Sequence, residues 1–389
     1  MNTMTSVFAA SFFLSFFIGF GFFRLKDRFV FSELLPLFLI PLVGFITLFY
    51  WLPDKSDFVS GLKIYEPLAA FALSVVVFFA AGAKNRKTEI LALAAASVIL
   101  AALPSKTFLL FEGYLPFWLD RIIAAAIIFA FAFYYGFLNT VRGILPTQTI
   151  SICAGLFVIS VIGAIPILLG TYALVIAGIF AAFMAFNLVK INLSDRTSSA
   201  IGLIIAWLLL KSSEEFSASC CLILLLPFAI NFLWAICQKV NHLINGDSKH
   251  LYEYSAIYRL HMLNVSEITI CKSYAPINFL MIIFAAMQTY AQNNFSFPIV
   301  GALFVVWYIS KIQTVETPEE LDKEAHEPMI EMPETPEQPK EEPSKVVKSS
   351  SVKVPLKTIK KKPAAQKKKT APVKKKSPAK PIRKTAKRK

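Results

Sequence analysis

Asp195 lies in NLVKINLSDRTSSAIG (residues 187–202), five residues after Lys190, directly before Arg196 and three before Ser198. A carboxylate among cations at the start of an apolar stretch suits two tasks. It can offer a hard oxygen ligand to a divalent cation, or it can cap a helix by complementing the positive end of its dipole. The sequence leaves both open. GFLNTVRGIL (136–145) adds Asn139 and Arg142, and SKHLYEY (248–254) adds His250 among aromatic neighbours. Guanidinium and ammonium groups clamp phosphate oxygens, so Lys190, Arg142 and Arg196 together form a candidate phosphate clamp. Each group also has a plainer reading. Lys190, Arg142 and Arg259 can be charges that hold loops on one side of a membrane, Asn139 a helix cap, and His250 an interfacial residue.

The elements that must position these groups are membrane helices. The chain of 389 residues is 56% hydrophobic with 36 Phe and a mean hydropathy of +0.59, beyond the range of a soluble domain. Crossing a hydrocarbon core of about 30 Å takes roughly 17 to 25 apolar residues as a helix, and in lipid only helices or closed barrels satisfy the backbone. The spacing predicts an all-α integral membrane protein of about eleven helices, at 5–23, 29–51, 66–83, 89–103, 117–138, 149–169, 171–189, 198–210, 218–237, 268–288 and 296–312. The fourth and eighth are short.

The first apolar run, from Thr5 to Phe23, has no positive residue before it and is followed by Arg24, Lys26 and Arg28. That is the reverse of a signal peptide's charge order, so an uncleaved first helix with its N-terminus outside is expected. The loops 24–28, 84–88, 139–148, 190–197 and 238–267 then lie inside. They carry twelve Lys/Arg, against five near the outer loops, namely Lys55, Lys63, Lys106, Lys211 and Arg121. An odd helix count leaves the C-terminus in the cytoplasm. The five cysteines lie in or beside apolar stretches, with no zinc-site or disulfide spacing, and read as small buried hydrophobes.

This arrangement resembles the polyprenyl-phosphate N-acetylhexosamine-1-phosphate transferases, the glycosyltransferase family 4 type enzymes that start many lipid-linked glycans. The likeness spans roughly residues 60–312. In that family a pattern like A-K-I-F-x-G-D-x-G-S-x-x-x-G opens the eighth helix. VKINLSDRTSSAIG is similar to it at Lys190, Ile191, Asp195, Ser198 and Gly202, with Thr197 where a second glycine is expected. The segment running from LLLPFAINFLW to SKHLYEY and YRLHML looks like the family's His-x-x-His-Leu-Tyr element. His250, Leu251 and Tyr252 match, while Asp247 stands at the earlier histidine. GFLNTVRGIL resembles N-F-M-D-G-I-D-G-L and keeps Phe137 and Gly143, with Asn139 and Arg142 in place of two acids. The Asp-Asp pair expected after the third helix faces AAGAKNRKTE, where Glu89 is the nearest carboxylate.

The resemblance implies transfer of a sugar-1-phosphate from a UDP-N-acetylhexosamine to polyprenyl (undecaprenyl) phosphate, at the cytoplasmic face of a bacterial inner membrane, with Mg²⁺. It makes Asp195 a metal-binding and catalytic residue and His250 a catalytic residue. It places Lys190, Asn139, Arg142, Arg196 and Ser198 on substrate. The missing acids keep a second expectation open, a catalytically inactive relative acting as a membrane scaffold or binding protein. Either form is compatible with a homo-oligomer.

After the membrane domain, 1–312, two segments lack the apolar residues to build a core. Residues 313–344 form an acidic, Pro-containing linker, and 345–389 form a Lys/Ala/Pro tail expected to stay disordered. Residues 1–315 hold 19 Lys/Arg and 14 Asp/Glu, 316–344 hold 2 and 11, and 345–389 hold 19 and none. Such a tail binds polyanions, either nucleic acid through counterion release or the membrane's anionic lipids.

Overall fold

The computed structural model of the chain describes residues 2–24, 31–51, 65–82, 86–104, 110, 115–189, 193–216, 218–244, 251–291 and 295–313. Lys190, His250, Asp247, the linker from residue 314 and the whole 345–389 tail lie outside the described residues. The described residues fall in one compact unit, Met1–Glu327. Among them there is no strand. The helices are α1 (Asn2–Arg24), α2 (Phe31–Trp51), α3 (Tyr65–Gly82), α4 (Arg86–Ala102), α5 (Phe117–Phe137) and α6 (Ile144–Val161). They continue as α7 (Ile167–Val189), α8 (Asp195–Glu215), α9 (Ala218–Ile244), the short α10 (Ala256–Met262), α11 (Glu267–Gln288) and α12 (Ser296–Gln313).

Each predicted apolar segment overlaps one of these helices, the 149–169 segment running across the break between α6 and α7, and α10 has no predicted counterpart. Seven are long and apolar enough to cross a membrane: Met4–Gly21, Phe117–Thr140, Ile144–Val161, Ile167–Leu188, Ala218–His242, Glu267–Gln288 and Ser296–Gln313. Two more apolar stretches, Leu35–Gly44 and Glu66–Ala81, are shorter. The outward faces carry large exposed apolar side chains such as Phe17, Phe79, Leu91, Phe279 and Leu303. Water would make that surface costly and lipid does not.

Several boundaries differ from expectation: α6 begins at Ile144 rather than 149 and α9 runs to Ile244 rather than 237, so both take in residues expected in inner loops. The break between the sixth and seventh helices falls at 162–166 rather than at Gly170. Gly163 adopts a left-handed conformation, φ 91°, and Pro166 precedes the next helix, so the chain stops and restarts there. Gly170 lies inside α7, where a side chain would strike Ser160 of α6, 2.2 Å away. The eighth helix extends at both ends, from 198–210 to Asp195–Glu215. Its lower apolarity has a cause: residues 197–210 are all buried, so it is surrounded by protein and needs no lipid-facing surface.

Helix α8 packs on α5 and α3 most extensively. Small residues let the α5 and α8 backbones approach. A Cβ added at Gly136 would lie 2.6 Å from Ser199 Oγ, and one at Gly202 would lie 2.8 Å from Tyr135 Cβ and 2.9 Å from Ala132 Cα. This is the small-residue contact by which membrane helices close on each other.

The contacts also fix helix directions. Helix α1 runs alongside α7 in the same sense, with Met4 beside Thr171, Ser11 beside Gly178 and Phe186 beside Gly19. Helices α5 and α8 are antiparallel by the Gly136–Ser199 and Gly202–Ala132 contacts. The Arg121 guanidinium donates to the Ala101 carbonyl at 2.9 Å, which joins the end of α4 to the start of α5. Consequently α1, α3, α5, α7 and α9 end, and α4, α6, α8 and α11 begin, at one end of the bundle.

At the opposite end α8 carries a buried ionic group. Lys211, expected as an outer-loop charge, is instead inside α8 with its side chain 11% exposed. Its Nζ lies 3.3 Å from Glu66 of α3, 2.7 Å from Glu214 and 3.5 Å from Glu215. Glu66 is 2% exposed. A carboxylate so buried is tolerable only with a cation against it. Of the cysteines, Cys153, Cys220, Cys221 and Cys271 are buried as expected, whereas Cys237 is exposed on α9.

Replacing Lys211 by Met strands Glu66 beside two further carboxylates. The expected cost is about 3–5 kcal/mol, read as a lowered thermal midpoint of the purified protein. The double variant Lys211→Met with Glu66→Gln is expected to recover much of it, and a midpoint unmoved by Lys211→Met would contradict the buried pairing.

Candidate functional site

At the end where α8 begins, three chain corners meet. The first is the 3-10 turn Leu138–Thr140 and residues 141–143, which join α5 to α6. The second is the approach to α8 at Leu193 and Ser194. The third is the start of α11 at Glu267. Each corner leaves backbone donors and acceptors that no helix satisfies, and side chains from the neighbouring corner take them up.

Asn139 donates its side-chain amide to the Leu193 carbonyl. Asn187, buried near the end of α7, accepts from the Gly143 backbone N–H at 2.6 Å. Gly143 has φ 84°, a conformation that costs other residues. A Cβ there would also meet Cys271 Sγ at 2.8 Å and Leu188 Cδ2 at 2.9 Å. Two hydrogen bonds therefore clamp residues 139–143 to Asn187 and Leu193. The Cys271 thiol, on α11, donates to the Arg142 carbonyl at 3.6 Å, and the Arg142 guanidinium lies 3.9 Å from Glu267. These contacts tie in the third corner.

The cap of α8 is Ser194, whose Oγ accepts from the Thr197 N–H at 3.4 Å. Asp195 is thus the first helical residue. It is exposed, as is Arg196, and its carboxylate sits where the helix dipole favours negative charge. Of the two readings left open by the sequence, capping by a side-chain acceptor belongs to the neighbouring serine. Ser198, expected on substrate, is buried and donates to the Ser194 carbonyl at 3.1 Å. Asn139 is likewise engaged with Leu193. The predicted residues that are described therefore separate: Asp195, Arg196 and Arg142, 39% exposed, face outward, while Asn139 and Ser198 build the mount beneath them. Lys190 and His250, outside the described residues, are not placed.

The long connection after α9 is anchored by groups that the sequence analysis did not single out. Asn231, buried within α9, donates to the Tyr134 hydroxyl of α5 at 2.7 Å. Its carbonyl oxygen accepts from the Ala256 N–H at 3.0 Å, holding the start of α10. Ser255 caps α10, accepting from the Tyr258 N–H at 3.2 Å. His242 stacks on Tyr254 with ring centroids 5.1 Å apart. The signal for Asn231 and Asn187 was present in PFAINFLW and MAFNLV: a polar amide inside an apolar helix is retained for a partner.

Among the described residues no three His, Cys, Asp or Glu side chains converge as a metal site. The carboxylates that the described part of this face carries are those of Asp195 and of Glu267, the latter 3.9 Å from the Arg142 guanidinium. Magnesium is often held by one or two carboxylates, with substrate phosphates and water completing its shell, so Asp195 fits such an ion only in company with a bound phosphate group.

No protein-family model matches the chain, and no curated protein matches it.

Replacing Asn187 by Ala leaves the buried Gly143 N–H without its acceptor. The expected loss is about 1–3 kcal/mol, with faster amide exchange over residues 138–147. Unchanged exchange there would show that the clamp does not hold this corner.

Proposed function

We propose that this protein transfers a sugar-1-phosphate from a UDP-N-acetylhexosamine to polyprenyl (undecaprenyl) phosphate, beginning a lipid-linked cell-envelope glycan. The observation that carries the reading is the clamping of three corners, which gathers Arg142, Asp195 and Arg196 at one end of a bundle of membrane-type helices. The proposal includes eleven membrane crossings, an outside N-terminus and a cytoplasmic C-terminus in a bacterial inner membrane, so that this end faces the nucleotide sugar. The inner-loop excess of Lys and Arg supports that orientation.

In the reaction an oxygen of the lipid phosphate forms a bond to the sugar-bearing phosphorus of the nucleotide sugar. The bond from that phosphorus to the bridging oxygen breaks, and UMP leaves with the bond's electron pair. Both reactants are anionic, so the chief task is to neutralise and align them. Arg142 and Arg196 would bind phosphate oxygens as charge-assisted donors. Magnesium, when bound, supplies divalent charge to the diphosphate, with Asp195 as its carboxylate ligand. By resemblance His250 is a catalytic residue and Lys190 binds substrate. Asn139 and Ser198 act by holding the corner on which the charged groups stand.

A second reading, a non-catalytic relative serving as a membrane scaffold or binding protein, is favoured by one specific observation. Asn139 and Arg142 stand where the resembled family has acids, and Asn139 spends its amide on the Leu193 carbonyl.

The two readings separate in a single assay, in which purified protein is mixed with UDP-N-acetylglucosamine, undecaprenyl phosphate and Mg²⁺. The first expects UMP release that falls about 10²- to 10⁴-fold in Asp195→Asn. No UMP release from this or other UDP-sugars sinks it. The scaffold reading expects Asp195→Asn and His250→Ala to complement a deletion strain fully.

A further inference from the structure

We propose that the bundle binds water in its interior, at a polar layer formed by Tyr134 of α5, Asn231 of α9, and Tyr274 and Asn278 of α11. This inference does not depend on whether the Asp195 face turns over a substrate.

Three helices bring these groups to one level. A Cβ added at Gly301 of α12 would lie 3.0 Å from Leu226 of α9 and 3.3 Å from Met281 of α11, which marks a common height. Tyr308 of α12 packs edge-on against Tyr274 of α11, with ring centroids 5.5 Å apart, so these two helices are antiparallel. Helix α11 starts at Glu267, the partner of Arg142, and α9 ends on that side. With a rise of about 1.5 Å per residue, Asn231 lies about 7.5 Å nearer that end than Leu226, while Asn278 and Tyr274 lie about 4.5 and 10.5 Å nearer it than Met281. Asn231 therefore falls between the two α11 side chains in height.

The side chains also face one another. Positions 274, 278 and 281 share one face of α11, and the contact of Met281 with Gly301 turns that face toward α9 and α12. From α5 the Tyr134 hydroxyl accepts from the Asn231 amide at 2.7 Å, and Tyr134 lies within electrostatic range of Tyr274.

The polar accounting of this layer does not close within the protein. Tyr274 is 2% exposed and Asn278 5%. Yet among the described residues neither the Tyr274 hydroxyl nor Asn278 Nδ2 has a hydrogen-bond partner. Trp234 Nε1, one turn beyond Asn231, is buried in the same condition. Nearly all buried polar groups in native proteins are paired, and ordered water is the partner where side chains and backbone supply none. A phenol that donates and accepts, beside an amide NH₂ with two protons to give, offers the two to four bonds that a buried water makes. None of these groups is charged, so a neutral ligand fits the layer and an ion does not. Tyr274 stands seven residues into α11, about 10 Å from its start, which makes the Asp195 end the short route for water.

The test is radical labelling of the full chain in nanodiscs, by X-ray pulses in heavy-oxygen water, with oxygen uptake read by mass spectrometry. Radicals formed on a bound water oxidise the side chain beside it, however deeply buried. Tyr274 is expected to label at least about fivefold faster than Tyr135, which is as deeply buried but pairs with Thr149. Tyr274→Phe is expected to lower the thermal midpoint by about 2 °C, because a hydrogen bond is lost. Removing a hydroxyl that bonds nothing would leave the midpoint in place or raise it, and either result overturns the proposal. Labelling of Tyr274 no faster than Tyr135 overturns it as well, even with a lowered midpoint, since the partner would then be protein.

Discussion

The whole arrangement depends on burying α8. A helix wrapped by protein along residues 197–210 cannot leave its terminal backbone groups or its charges to water or lipid. Both ends must be satisfied by neighbouring elements. At one end Lys211 holds three glutamates, with Glu66 of α3 deepest. At the other, Ser194 caps the first turn, while Asn139 and Asn187 lock the adjoining corners to each other. Gly136 and Gly202 make this burial geometrically affordable, since any Cβ there would strike the facing helix.

The proposed phosphate-binding face depends on the same constraint. With the corners held by amides and hydroxyls, the charged side chains next to them stand on a fixed mount and are exposed in whole or in part. Asp195 and Arg196 are exposed immediately after the cap, and Arg142 is half-exposed against Glu267. A charged group placed by rigid, buried neighbours holds its direction without loss on binding, which is what a phosphate-binding face needs. The interior amide Asn231 extends this logic to α10, so that a further piece of the same end is fixed from within the bundle.

Much of the fold was legible because apolar run length maps directly onto helices. The break at Gly163 and Pro166 was misplaced at Gly170, since two glycines within eight residues look alike until one is seen packing on Ser160. The eighth helix looked short because its ends, DRT and KSSEE, are polar. Polarity there reflects partners inside the protein, which sequence periodicity does not reveal. Of the candidate site residues, the structure shows where Asn139, Arg142, Asp195, Arg196 and Ser198 stand, and two of them are engaged with backbone. Asn139 and Ser198 have the chemistry of ligands, yet their nearest acceptors are backbone carbonyls. Lys211 read as a topology charge because its partner Glu66 lies far away in sequence and adjacent only after folding.

The central claim is that the charged groups around the start of α8 form one phosphate-binding face. Calorimetric titration of UDP into the protein in nanodiscs tests it most directly, comparing the native chain with Arg142→Ala/Arg196→Ala. The expected result is binding that weakens about tenfold or more in the variant, in line with the loss of charge-assisted hydrogen bonds, with an unchanged thermal midpoint. Equal affinity in the two proteins, or no binding to the native chain, would contradict it.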